Sequence, residues 1–274
     1  MKIRISLVAA ITLAATLSQA QSRQIDGMDT SVFEGADVVV LGEVHDNPAH
    51  HAYQAAAVAA IKPKALVFEM FTNAQVLSIR PEHLQDKATL EGVLGWADSG
   101  WPDFAMYYPI FTATDAPAIF GGAVERDLVR QSVMDGAASV FGASADMFNL
   151  SNNLDDAEQT LREAGQMAAH CDALPEDMLG GMVEAQRLRD ASMARAVVAA
   201  FAETGGPVVL ITGNGHARTD WGVPRDLAVA MPELTVISVA QFEDSPEGQV
   251  PYDFWLKNAP QERDDPCEGF AISK

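Results

Sequence analysis

Two apolar stretches that end in a glycine turn and a histidine constrain this chain most. The first is Val-Val-Val-Leu-Gly-Glu-Val-His at 38–45, and the second is Val-Val-Leu-Ile-Thr-Gly-Asn-Gly-His at 208–216. A third apolar run begins at Ala65 and ends on the carboxylate of Glu69. Uninterrupted hydrophobicity of this kind indicates strands that are covered on both faces, as in a parallel sheet.

Apolar runs alternate with helical patterns along the rest of the chain. Strands are predicted at 37–41, 65–70, 117–121, 207–212 and 235–240, with a short extended piece near 252–256. Helices are predicted at 48–61, 124–135, 178–203 and 224–230. The alternation predicts an α/β fold, a mainly parallel sheet flanked by helices. The acidic segment 142–177 lacks a convincing strand and is interpreted as a small helical cap inserted into a single domain, 21–274.

The amino terminus has the pattern of a secretory signal peptide. Lys2 and Arg4 precede an apolar run that is shorter than the roughly 20 residues needed to span a bilayer. Small residues at 18 and 20 suit cleavage after Ala20, which makes 1–20 the predicted signal. No cysteine follows the run, which argues against a lipid anchor. We therefore expect a periplasmic or secreted protein without a transmembrane span.

The charge of the chain limits which partners it can bind, and its cysteine content bears on the compartment in which it is found. With 38 acidic against 18 basic side chains, the formal net charge of −20 disfavours binding to nucleic acid or to anionic lipid. The chain has 2 cysteines, Cys171 and Cys267. In an oxidising compartment such a pair predicts one disulfide, and the alternative is two unpaired thiols.

Polar side chains follow four successive predicted strands. Glu43 and His45 follow the first strand, Glu69 ends the second, Arg126 follows the third, and His216 follows the fourth. Because ligands of open parallel sheets bind beyond the carboxyl ends of the strands, we expect these groups to share one edge. Two imidazoles and two carboxylates suit a divalent metal such as zinc, manganese or iron. Glu43, His45, Glu69 and His216 are equally suited to acid and base roles in hydrolysis.

Other candidates carry weaker signals. Asp190 lies in the middle of the long predicted helix, where it either faces the site or is solvated. Arg126 is a candidate for binding an anionic ligand, and pairing with nearby acids is the alternative. An aromatic segment, 96–111, either walls a flat apolar ligand or packs over the sheet. Its Tyr107 and Tyr108 are testable as haem ligands, because tyrosine oxygen ligates ferric haem.

Several of these motifs together resemble the ChaN-like haem-binding uptake family, which is grouped with Tiki, TraB and erythromycin-esterase-like proteins. The resemblance rests on five segments in order over about 36–240: Gly42-Glu43-Val44-His45, Phe68-Glu69-Met70-Phe71, Tyr108-Pro109-Ile110-Phe111, Arg189-Asp190 with Met193-Ala194, and Thr212-Gly213-Asn214-Gly215-His216 through Pro224. It implies an α/β sheet with a small helical subdomain.

The resemblance also implies haem as a cofactor, a role in haem or iron uptake, and a tyrosine at a subunit contact, which is compatible with a homodimer. Two further hypotheses follow from the residues: a metal-dependent hydrolase built on the Glu and His cluster, and an interaction module in which this edge is inactive. The family pattern favours haem or iron binding, which is the prediction made here, and the residue chemistry favours the hydrolase as its alternative.

Overall fold

The computed structural model describes residues 22–27, 29–115, 117–265 and 267–268. The predicted signal peptide, 1–20, lies outside the described residues. Within them, no helix is both long enough and apolar enough to cross a bilayer.

The described residues form seven strands and nine α-helices. The strands are β1 (Arg23–Gln24), β2 (Val38–Glu43), β3 (Ala65–Phe68), β4 (Ala118–Gly121), β5 (Val208–Gly213), β6 (Val236–Phe242) and β7 (Phe254–Lys257). The helices are α1 (Pro48–Ile61), α2 (Asn73–Val76), α3 (Lys87–Leu94), α4 (Phe104–Phe111), α5 (Arg126–Asp135), α6 (Ala137–Phe141), α7 (Asp156–Ala169), α8 (Leu179–Thr204) and α9 (Val223–Ala230).

All strand pairs are parallel, in the order β1-β7-β6-β2-β5-β3-β4. The predicted α/β class is therefore confirmed. β2 lies in the interior between β5 and β6, and each residue of β2, β3 and β5 is buried. Alternate residues of a strand point to opposite faces, so each face of the sheet has its own core.

One core contains Val39, Leu41 and Phe68 and packs against α1, α3 and α4. The other contains Val38 and Val40 and packs against α6, α8 and α9. This double cover explains why the central strands are uninterrupted apolar runs.

Two helices fix the elements that carry the site. α1 begins where the Asn47 side chain accepts a hydrogen bond from the backbone N–H of Ala49 (2.9 Å), with Pro48 in the first position. The long α8 ends at Gly205, whose φ of 72° is the left-handed conformation that stops a helix. Both helices lie close to their predicted bounds.

The predicted helical segment, 142–177, contains α7 and two short 3₁₀ turns at 145–148 and 176–178. Just after α7, Cys171 forms a disulfide with Cys267 and so ties this segment to the chain's end. β7 corresponds to the extended piece predicted near 252–256, whereas β1 and the short helices α2, α3, α4 and α6 were not predicted.

Candidate functional site

The carboxyl ends of β2, β3 and β5 lie side by side. The register pairs Glu43, the last residue of β2, with Gly213, the last residue of β5. It pairs Phe68 with Ile211, which places Glu69 next to the end of β5. The turn after β5 then leads to His216. The structure thus brings together the four side chains that the sequence placed at this edge.

Glu43 and His45 form a carboxylate–imidazole pair. His45 Nδ1 lies 2.7 Å from Glu43 Oε1, and the hydroxyl of Tyr107 on α4 donates to the same oxygen at 2.9 Å. Burial lowers the pKa of His45, but its hydrogen bond to Glu43 and the charge of Glu69 outweigh burial and raise that pKa above its ordinary value. Glu43 is fully buried, whereas the His45 side chain is 35% exposed.

Two glycines allow the strand ends to approach their neighbours. A Cβ atom on Gly42 would lie 2.5 Å from Asn214 Oδ1. A Cβ atom on Gly213 would lie 2.8 Å from His45 Nε2. Both glycines therefore leave room for a side chain of the adjacent turn, and Gly213 in particular lets the His45 ring lie over the end of β5.

Glu69 lies between the two imidazoles. Its Oε2 accepts hydrogen bonds from the Thr212 hydroxyl (2.7 Å) and from the backbone N–H of Gly213 (2.7 Å). Its Oε1 lies 3.5 Å from His216 Nε2. Burial raises the pKa of Glu69, but the charges of His216 and His45 and these hydrogen bonds overcome burial and lower that pKa. Glu69 is therefore a half-buried carboxylate, with its side chain 11% exposed, whose charge is compensated.

Asp190 and His216 form the second carboxylate–imidazole pair. His216 Nδ1 lies 2.6 Å from Asp190 Oδ1 on α8, and the amide of Gln186 is 3.0 Å from the same nitrogen. Burial lowers the pKa of His216, but Glu69 and Asp190 outweigh it and raise the pKa. Of the two placements that the sequence left open for Asp190, the structure shows the one facing the site.

Two histidines of α1, His50 and His51, form hydrogen bonds with the backbone that follows β2. His50 Nδ1 accepts a hydrogen bond from the backbone N–H of Val44 (2.8 Å), and burial lowers the pKa of His50 to about 4. His51 Nε2 donates to the carbonyl of His45 (2.8 Å), which places its Nδ1 3.3 Å from Glu43 Oε2. His51 thus holds both members of the first pair.

A cleft of about 900 Å³ opens beside Glu69 and His216. Its walls come from the segment after β3, from the loop before α4, from the segment 122–130 and from α8. Apolar side chains, arginines and acids share these walls: Met70, Trp101, Val124, Val129, Met193, Arg126, Arg130, Arg189, Asp98, Glu125 and Asp127. The Trp101 ring also contacts the His45 ring edge-on, with centroids 4.8 Å apart.

Other predicted site residues lie in different surroundings. Arg126 lines the cleft, and its Nη2 donates to the carbonyl of Ser99 (2.6 Å). Tyr107 is fully buried, and burial together with Glu43 raises the pKa of its hydroxyl. Tyr108 donates to the carbonyl of Leu84 (3.0 Å). Among the described residues that line the cleft, none is a tyrosine.

The predicted metal ligands form a chain of acids and imidazoles instead. In the part of the chain that the structure describes, no group of three or more His, Cys, Asp or Glu side chains is arranged to hold a metal ion. The Nδ1 atoms of His45 and His216 face carboxylates and Glu69 accepts donors from β5, so Nε2 is the ring nitrogen of each histidine that does not contact Glu43 or Asp190.

Sequence reasoning missed several contributors. Thr212, Gln186, Arg189 and His51 were not among the predicted site residues. The spacing of Gln186, Asp190 and Met193 along α8 places them on one helix face, and this periodicity was the available signal. The contact of His51 with Glu43 depends on how α1 packs, which no local pattern reveals.

Comparisons with known proteins agree with this architecture. A family model described as "Haem-binding uptake, Tiki superfamily, ChaN" matches residues 30–227, more than half of the chain. A solved structure titled "Cofacial heme binding to ChaN of Campylobacter jejuni" is similar, with 16% identity, a TM-score of 0.60, and coverage of 81% of this chain and 88% of that chain. At this identity, the likeness shows the fold.

A second solved structure, of the type III effector HopBA1, has 11% identity and a TM-score of 0.49, and the match covers 89% of this chain and 100% of that chain. A comparison with curated protein sequences found no match.

Proposed function

Because this chain belongs to the haem-binding uptake family of the Tiki superfamily, ChaN, we propose that it binds haem in the cleft beside His216. The observation that carries the proposal is the position of a carboxylate-bound histidine at the floor of a large, partly apolar cleft. Family membership supports the ligand class, and the geometry of the cleft supports the proposed location.

The cleft suits a haem in size and surface. Its volume of about 900 Å³ lies within the range of roughly 300–1,000 Å³ that is usual for small-molecule sites. Trp101, Met70 and Met193 offer flat or flexible apolar surface to a porphyrin ring. Arginines on the walls match the carboxylates of the haem edge.

His216 is the candidate axial ligand. Its Nδ1 is bonded to Asp190, which fixes the ring and leaves Nε2 as the nitrogen available to iron. Haem would supply a redox-active iron at this position. Tyr107 and Tyr108 are less suited, because both hydroxyls already donate hydrogen bonds within the protein. His45, whose ring contacts Trp101 edge-on, is the second imidazole close to the cleft.

A hemin titration tests the proposal. We expect a Soret shift that saturates at a fixed stoichiometry, and a different Soret position or weaker binding in His216→Ala. His83→Ala is the matched control, because His83 accepts a hydrogen bond from the backbone N–H of Arg80 in the segment before α3, outside the cleft. Absence of a saturable Soret change in the wild-type protein would refute haem binding.

We also propose that the protein acts in haem or iron uptake in an oxidising compartment, the periplasm or outside the cell. The disulfide between Cys171 and Cys267 supports this location, because such bonds persist mainly outside the cytosol. Fractionation of cells that express the full chain tests it: recovery of the protein in the cytosolic fraction with its amino terminus intact would contradict the proposal.

A second candidate function is hydrolysis by acid and base groups. It is favoured by the two carboxylate–imidazole pairs, Glu43–His45 and Asp190–His216, which flank Glu69 at one edge. Such pairs can accept and return a proton. A screen of ester and amide substrates tests this candidate, and activity that survives in both His45→Ala and His216→Ala would count against it.

A further inference from the structure

Arg189 differs from the other buried or half-buried arginines, because it has no carboxylate partner among the described residues. Five arginines in the described part of the chain are buried or half-buried. Four of them bind a carboxylate: Arg162 and Arg225 with Glu158, Arg187 with Glu184, and Arg218 with Asp220. Arg189 makes no ion pair or side-chain hydrogen bond with any residue that the structure describes.

This lack of a partner is unexpected in so acidic a protein. Acidic side chains outnumber basic ones by 38 to 18, so a half-buried arginine has many potential acceptors. A guanidinium presents five N–H donors in a fixed fork, and no described residue of the chain accepts from the fork of Arg189. The arrangement is understandable when an acceptor arrives from outside the chain.

Arg189 lies where a ligand would reach it. It lines the cleft together with Met193, which is four residues further along α8, and with His216 at the floor. It is close enough for its charge to oppose the rise in the pKa of His216. The other two cleft arginines have partners, since Arg126 donates to the Ser99 carbonyl and Arg130 pairs with Asp127.

We infer that Arg189 binds a carboxylate of the molecule that occupies the cleft. The ligand class is a flat apolar molecule with carboxylate groups at its edge. The inference rests on the proposed function, in which that carboxylate is a haem propionate. Arginine suits this role because its planar fork matches a carboxylate with two parallel hydrogen bonds.

Hemin and hemin dimethyl ester, which lacks the free carboxylates, provide the test. We expect the wild-type protein to bind hemin more tightly than the ester. Arg189→Met should weaken hemin binding by about 10- to 100-fold, the range for a lost hydrogen bond to a charged group, and should leave ester binding nearly unchanged. Arg189→Lys, which keeps the charge without the fork, should lie between Arg189→Met and wild type.

Arg195→Met is the matched control on the same helix. Arg195 is exposed and lies over the Phe141 ring, 4.3 Å from its centroid, away from the cleft. Thermal unfolding of each variant shows whether the fold is retained.

The two proposals fail in different ways. Wild-type protein that binds hemin while Arg189→Met binds it equally well would overturn the role of Arg189 and leave haem binding standing. Equal weakening of hemin and ester by Arg189→Met would also overturn carboxylate recognition. Wild-type protein that binds neither compound would overturn both proposals.

Discussion

The close approach of His45 to the end of β5 can be tested by adding a single methyl group. In Gly213→Ala the new Cβ atom would lie 2.8 Å from His45 Nε2 and 3.0 Å from Cε1. Non-bonded heavy atoms are most stable at about 3.5–4.0 Å, so the imidazole must move. Movement breaks the 2.7 Å contact between His45 Nδ1 and Glu43 and leaves a buried carboxylate with one donor fewer.

The expected loss of stability follows from that contact. A hydrogen bond to a charged group contributes about 1.5–3 kcal/mol. His45 is 35% exposed, so water partly replaces the bond for the displaced ring, and we expect a net loss of about 1–2 kcal/mol. For a domain of this size, such a loss lowers Tm by about 2–8 °C. Urea denaturation should show a lower midpoint with an unchanged m value.

Gly215→Ala is the matched control in the same turn. Its Cβ atom would meet only Gln186 Nε2, at 4.0 Å, which is ordinary contact distance. Both substitutions restrict the unfolded chain to a similar degree, so that contribution cancels in the comparison. Equal stability of the two variants would refute the claim that Gly213 exists to admit His45.

Three further predictions follow from other contacts. Thr212→Val removes the hydroxyl that donates to Glu69 at 2.7 Å, and we expect a loss of about 1–2 kcal/mol in urea denaturation together with a higher pKa of Glu69, measured by carboxyl NMR. The pKa of Glu243 is lowered from its ordinary 4.5 to about 2, mainly by hydrogen bonds from Arg263. Because the folded pKa is the lower one, this stabilisation is present above pH 4.5 and is lost as the pH falls toward 2, so wild-type Tm should fall more steeply over that window than Tm of Glu243→Gln. Reduction of the disulfide, which links residues 96 positions apart, should cost about 4.7 kcal/mol in the chain-entropy model, and equal denaturation midpoints with and without reductant would contradict this.

The sequence was sufficient for those features that repeat along a strand or helix. The apolar runs of β2, β3 and β5 predicted the parallel sheet, and the rule for strand ends predicted that Glu43 and His216 lie at the same edge of it.

The sequence was insufficient for features that depend on tertiary packing. Tyr107 was a candidate haem ligand and stays a prediction, and the sequence did not reveal that α4 packs against α1 and directs its hydroxyl to Glu43.

The cleft shows the same limit. It is built from five segments that are distant in sequence and share no periodic signal: the residues after β3, the loop before α4, the residues around α5, α8, and the turn after β5. The alternatives for Asp190 could not be decided for this reason either, since its environment is set by the turn after β5.

The net charge of the chain and the local charge of Arg189 have opposite effects on an anionic ligand. The distance over which each charge acts decides which effect dominates in the cleft. A net charge of −20 should repel the carboxylates of a haem. At physiological ionic strength, however, exposed charges are largely screened beyond about 8 Å. Within that distance the acids at the cleft floor are already compensated, because Glu69 accepts from Thr212 and Gly213 while Asp190 is paired with His216. Arg189 is then the cleft arginine without a partner among the described residues, so a carboxylate bound beside it would meet an uncompensated positive charge close to His216, even though Asp98 and Glu125 also line the cleft and the protein as a whole is acidic.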